Sequence, residues 1–256
     1  MNRMMTWVSG FLALTSSFMP LSAAEDNSVP SINRLVLDAV NAMPREGRYS
    51  TSPSANRALS SAVKTSVGTL SVNATTATPS YCSGATYLVF LKVLSGLQAS
   101  GQLPLSPETV CALKPSDQPD GTGIWGRWNA NGPGTARLFH ELGLGPNFTD
   151  LSAARPGDFL KIFWNDGIGA TEHGHSVIFL SRDPKADTLT FWSSNIPNGY
   201  GERTVPLRRI RRMLFSRLDR PEAIDNPLPR TDSYLKSLQS RSSTPDEMAR
   251  LCGIPR

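Results

Sequence analysis

The hydrophobic pattern of this chain changes character near its middle, from helical spacing to short strand-like runs. Ile32, Leu35, Val36, Ala39, Val40 and Met43 fall at i, i+3, i+4, i+7, i+8 and i+11, a single apolar stripe that predicts a helix from Ser31 to Pro44. Gly47 to Ser54 is a turn-rich break. Asn56 to Ser66 predicts a second, weaker helix, and Val67 to Ala74 a short strand with Leu70 and Val72 on one face. The run from Ala85 to Leu94 is apolar on most sides, so it predicts a helix buried in the core, continuing to about Ala99 and stopped by Gly101. Ser106-Pro107-Glu108 reads as a cap and a first-turn proline opening a short helix through Cys111. Residues 115–134 read as a loop rich in Pro, Gly, Asp and Asn, and Thr135 to Leu142 as a helix stopped by Gly143. From Arg155 onward strands are expected over Asp158 to Trp164, His175 to Ser181, Thr188 to Ser194 and Met213 to Leu218. Pro156-Gly157 and Gly199-Tyr200-Gly201 read as turns, and Leu207 to Arg212 as a helical turn. Two short helical segments are expected in 221–256, one opening at Thr244-Pro245-Asp246-Glu247. Helices first and an antiparallel sheet later predict an α+β domain.

The chain has 256 residues, enough for one sizeable domain or a domain with a small extension. Residues 1–24 have the form of a secretory signal: Arg3 supplies the positive start, Met4 to Met19 the apolar stretch, and Ser22-Ala23-Ala24 the small residues before cleavage at Glu25. No cysteine follows at once, which argues against a lipid anchor, and the expected location is periplasmic or secreted. Formal net charge is +5, and removing the single Arg3 with the signal leaves +4. That balance favours anionic surfaces such as bacterial cell wall; it is too mild, and too poor in interleaved aromatics, to indicate nucleic acid. No membrane span is expected once the signal is gone. Three cysteines occur, Cys82, Cys111 and Cys252. In an oxidising compartment an odd number leaves at least one thiol unpaired, and the economical expectation pairs Cys111 with Cys252 and leaves Cys82 as the working thiol.

The chemistry centres on Cys82. It opens the buried helix within Pro79-Ser80-Tyr81-Cys82-Ser83-Gly84. Unpaired N–H groups and the positive end of the helix dipole stabilise thiolate there, and thiolate is the nucleophile. Gly174-His175-Ser176-Val177-Ile178 places a histidine at the start of a strand, and the next strand ends in Asn195. Cysteine on a helix start, histidine on a strand and a polar orienter on its neighbour form a cysteine hydrolase constellation. Ser193 and Ser194 rival Asn195 as the orienter, and a turn role competes for Asn195 itself. His173 shares a face with His175 and is expected to line the pocket or the surface.

These segments resemble those of the NlpC-type cell-wall cysteine peptidases and the related CHAP amidohydrolases. Cys82-Ser83-Gly84 with its apolar helix resembles their nucleophile segment, and Arg155-Pro156-Gly157-Asp158-Phe159-Leu160 the turn and strand before the histidine. Gly174-His175-Ser176-Val177-Ile178 resembles the histidine strand, and Phe191-Trp192-Ser193-Ser194-Asn195 the strand supplying the third polar residue in the CHAP type. Tyr81 stands where NlpC families often have Asp, and the stretch from Cys82 to Pro156 is longer than in compact members. The resemblance covers roughly 75–218. It implies a papain-like fold, N-terminal helices with the nucleophile at the start of a buried helix packed on an antiparallel sheet. Together with the reading of the residues outside it, the expected boundaries are 1–24 signal, 25–74 helical extension, 75–220 hydrolase domain and 221–256 helical tail. The resemblance also implies a Cys82-His175-Asn195 triad cutting amide bonds in peptidoglycan stem peptides without a cofactor. Tyr81, Trp125, Trp128 and His173 are the candidate substrate-binding residues, with core capping the alternative for the two tryptophans. Asp158 is expected to be structural. Arg208, Arg209, Arg211 and Arg212 are expected to be a solvated basic face that could attract wall polymers.

Two other functions fit parts of the pattern. His173-Gly174-His175 is an H-x-H pair that, with Glu172, Asp158 or His140, would make a zinc hydrolase. A cleft without chemistry would make a wall-binding module. An inhibitor or immunity protein is a further expected partner if the enzyme attacks a rival's wall.

Overall fold

The computed structural model describes residues 31–255 other than Val67, together with Met1. Met1 aside, the expected export signal lies outside the described residues. Ser31 to Arg256 forms one compact unit of α+β class, so the segments on either side of 75–220 share it with the central part.

Helix α1 (Ile32–Asn41) starts where the Ser31 side chain accepts from the Arg34 N–H, and its stripe buries Val36, Ala39 and Val40. A short strand, β1 (Glu46–Gly47), precedes helix α2 (Pro53–Ala62). The helix expected to reach Ser66 stops at Ala62 because Val63 turns extended, at φ −110° and ψ 117°. Val63 and Thr65, β-branched residues suited to strand, pair across to Val72 and Leu70 in the hairpin of β2 (Val63–Ser66) and β3 (Thr69–Val72).

Helix α3 (Cys82–Ala99) has 18 residues and is buried on nearly every side. It is followed by α4 (Pro107–Ala112), capped by the Ser106 hydroxyl, which accepts from the Thr109 N–H. The stretch expected to be loop contains α5 (Gly123–Trp128) and the start of α6 (Gly134–Leu142). Tertiary burial overrides the breaker-rich composition there: Ile124, Trp125, Gly126, Arg127 and Trp128 are all inside. Gly143 ends α6 in the left-handed conformation, φ 76°.

The second half supplies β4 (Asn147–Phe148), β5 (Phe159–Phe163), β6 (Gly174–Asp183), β7 (Thr188–Asn195), β8 (Gly199–Pro206) and β9 (Arg212–Ser216). They form a seven-stranded antiparallel sheet in the order β1-β8-β7-β6-β5-β9-β4. Gly199-Tyr200-Gly201 is not the turn that its glycines indicate. It begins β8, paired to Asn195, Ser194 and Ser193, and the reversal falls between the strands at 196–198. Helices α7 (Ser233–Ser237) and α8 (Pro245–Leu251) complete the chain.

One sheet face, through Phe159, Ile178, Trp192 and Tyr200, packs with α3. The other buries Leu160, Ile162, Val177, Phe179, Phe191 and Phe215 in a separate cluster. Asp158 joins these layers from a fully buried position. Its carboxylate accepts from both the Nε and an Nη of Arg217, from the Asn33 amide on α1 and from the Arg155 N–H, which is the structural role expected of it.

All three cysteines are free thiols, so the expected Cys111–Cys252 disulfide is not formed. Cys111 is exposed on α4, whereas Cys252 is sealed at the end of α8 beside Phe163, Leu214 and Met248. Burial pushes the Cys252 thiol up to about 12, which makes it inert. Among the described residues, no helix is long and apolar enough to cross a membrane.

Candidate active site

Cys82 is the first residue of α3, following Tyr81 in extended conformation at φ −140° and ψ 166°. N–H groups in this first turn have no intrahelical acceptor and point toward the N-terminal end. Burial pushes the thiol pKa up. A hydrogen bond with His175, the charge of that imidazole, a backbone hydrogen bond from Ser176 and the charge of Lys161 outweigh it and bring the pKa down to about 6. Thiolate therefore predominates at neutral pH.

His175 is the second residue of β6, opposite Ile162 of β5. Gly174 before it has a packing reason: a Cβ there would lie 2.7 Å from both the Lys161 side chain and the Glu172 carboxylate. The imidazole is held by the Phe191 ring at 5.6 Å, edge on, and by Trp164 at 6.4 Å. Its Nε2 lies 3.1 Å from Asn195 Oδ1.

Asn195 Nδ2 donates to the carbonyl oxygens of Gly201, at 2.8 Å, and Ser193, at 3.3 Å. Those acceptors settle the amide orientation, leaving Oδ1 toward the ring. An amide oxygen only accepts, so Nε2 carries a hydrogen and Nδ1 is the nitrogen available to the thiol. The rival orienters are occupied: the Ser193 hydroxyl donates to the Ser176 carbonyl at 2.7 Å, and Ser194 accepts from Ser80 at 2.8 Å.

The residue that sequence reasoning missed is Tyr49. It lines the same cleft as Cys82; burial, followed by the charge of Cys82, pushes the phenol pKa up, so the hydroxyl keeps its hydrogen. Tyr49 belongs to a kinked segment in which Glu46 and Arg48 both hold φ 63°, a left-handed conformation costing roughly 1–2 kcal/mol per non-glycine residue. Backbone hydrogen bonds hold that segment on both sides, from Arg48 N to Asn198 O, Tyr49 N to Pro197 O and Ser50 N to Ser80 O. The sequence carries no signal for it, since a lone tyrosine in a turn-rich break has no periodic or motif context.

The thiol faces a cleft of about 430 Å³ lined in part by Tyr49, Tyr81, Asp120, Asn129, Lys161 and His173. Lys161 Nζ pairs with Glu172 at 2.7 Å, and the second Glu172 oxygen accepts from the Gly169 and Gly132 N–H groups. Of the expected substrate-binding residues, Tyr81 and His173 line this cleft. Trp125 does not; it lies 5% exposed beside a neighbouring hollow that Tyr81 also borders. Trp128 is a correction. It is 1% exposed, stacked on Phe90 at 4.9 Å and edge-on to Phe159 at 5.2 Å, with its indole N–H given to the Ser83 carbonyl. It braces the start of α3 from within and cannot touch substrate.

The residues considered for zinc are dispersed or engaged. Asp158 is bound to Arg217 and Glu172 to Lys161, while His140 packs beside Gly253. No group of three or more His, Cys, Asp or Glu side chains disposed to hold a metal occurs among the described residues. In comparisons with known proteins, no family model, no curated protein and no solved structure matches the chain.

Proposed function

We propose that the protein is a cysteine amidase or endopeptidase of papain-like architecture that hydrolyses amide bonds in peptidoglycan stem peptides. The observation that carries the reading is His175 bound to Asn195 at 3.1 Å, together with Cys82 at a helix start, where His175 helps to lower the thiol pKa. The resemblance to NlpC-type and CHAP-type enzymes and the export signal supply the substrate class and the periplasmic or secreted location.

The Cys82 thiolate attacks the amide carbon and forms a carbon–sulfur bond, while the carbonyl π-electrons move to oxygen. The Cys82 N–H at the helix start and the Tyr49 hydroxyl are the donors assigned to that oxygen in this reading. His175, having taken the thiol proton on Nδ1, gives it to the leaving amine as the carbon–nitrogen bond breaks. Asn195 keeps Nε2–H engaged and the ring in line. Water then attacks the thioester, giving its proton to Nδ1, and the acid product leaves with the thiolate restored. The cycle balances without a cofactor.

The test is incubation of the mature protein and its Cys82→Ala variant with purified sacculi, with released fragments identified by mass spectrometry. Fragments from the unsubstituted protein alone establish the activity and name the bond. Equal release from both excludes Cys82 as the nucleophile. No release from either excludes this substrate.

A further inference from the structure

Adjoining the Cys82 cleft, and sharing Tyr49, His173 and Gly174 with it, is a second hollow of about 520 Å³ that touches His175 but not Cys82. Its walls include Trp164, Ile196, Arg203 and Arg209. Arg203 stands on β8 opposite Phe191, the ring that holds the imidazole. Ile196 is 68% exposed at the rim, the large apolar residue most open to solvent after Met1 among the described residues.

Two arginines line this hollow, and no acidic residue does. Neither Arg203 nor Arg209 enters an ion pair among the described residues, unlike Arg211 and Arg212, which both bind Asp166. The cleft on the Cys82 side is mixed instead, with Asp120 in its wall beside the Lys161–Glu172 pair. Arginine pairs flanked by aromatic and apolar surface suit a carboxylate, which takes two parallel N–H donors.

Position relative to the reaction gives the hollow its role. The acyl half of the substrate becomes bonded to Cys82, and His175 delivers its proton to the departing nitrogen. A space that borders the histidine and excludes the cysteine therefore lies on the side of the leaving amine. We infer that this hollow is a subsite for an anionic leaving group, in which Arg203 and Arg209 bind a free carboxylate on the amine-bearing product. The inference rests on the cysteine amidase reading above and adds the chemistry of the fragment released.

The experiment uses two stem-peptide substrates that differ only in the amine-side residue, one with its side-chain or α-carboxylate free and one with it amidated. Charge-assisted hydrogen bonds lost with the carboxylate predict a kcat/KM preference for the free acid of about 10- to 100-fold, expressed mainly in KM. Arg203→Gln and Arg209→Gln should bring the ratio of the two substrates toward one, while Arg182→Gln, a charge-matched change on β6 away from the hollow, should leave it as it is. Equal cleavage of both peptides by the unsubstituted protein, abolished by Cys82→Ala, overturns the subsite and leaves the hydrolase reading standing. A preference unaltered in Arg203→Gln and Arg209→Gln also overturns it. Cleavage of neither peptide overturns the subsite together with the peptidoglycan reading.

Discussion

His175 Nε2 and Asn195 Oδ1 lie 3.1 Å apart, and the other end of the asparagine amide is committed to the Gly201 and Ser193 carbonyls. The second contact sets the meaning of the first. Because the amide cannot rotate without facing its N–H groups toward Nε2–H, the imidazole keeps Nε2–H toward Asn195, which leaves Nδ1 as the nitrogen available to Cys82.

Asn195→Ala should therefore slow turnover without removing the nucleophile. A loss in kcat on the order of 10²-fold is expected from misoriented general acid–base catalysis. Cys82 should remain open to alkylation. Full activity in this variant would show that the ring is oriented by Phe191 and Trp164 alone.

Alkylation of Cys82 should follow its thiolate fraction. With the pKa lowered to about 6, thiolate predominates above that pH, and the rate should fall about tenfold per unit as pH drops below it. His175→Ala should move the midpoint upward, toward about 8.5, the ordinary thiol value. Peptide mapping after iodoacetamide separates Cys82 from exposed Cys111 and from Cys252, which should react only on unfolding. A midpoint near 8.5 in the unsubstituted protein would refute the ion-pair assignment.

Tyr49→Phe removes one hydroxyl donor beside the reacting sulfur and keeps the ring. Loss of one oxyanion donor costs on the order of 10²-fold or more in kcat, so a fall of that size with little change in KM is expected. Unaltered steady-state kinetics would assign Tyr49 to packing.

Asp158→Asn should act on stability. The Arg217 guanidinium, on a side chain 12% exposed, would lose its bidentate acceptor, and breaking a largely buried pair on one side costs about 3–5 kcal/mol. Denaturant unfolding should register the loss, with thiol reactivity of the folded fraction retained. A change below about 0.5 kcal/mol would refute the view of Asp158 as the tie between α1, β5 and the Arg217 segment.

The sequence by itself determined the features that local chemistry encodes. The α1 stripe, the buried α3, the capped start at Ser106 and the order of helices before strands follow from periodicity and capping, which act over a few residues. Cys82 at a helix start and His175 at a strand start were legible for the same reason. Tertiary structure decided what depends on residues distant along the chain. Ser193, Ser194 and Asn195 are equivalent orienters until the backbone carbonyl of Gly201 engages Asn195 and Ser80 engages Ser194. Trp125 and Trp128, alike as aromatics among glycines, separate only because α5 folds inward and carries Trp128 under α3. Tyr49 reaches the thiol solely because its segment is held between Ser80 and the 196–198 turn, a long-range arrangement no local pattern records. The pairing of Cys111 with Cys252, economical by count, fails on position, since one lies on an exposed helix and the other in a sealed apolar cluster.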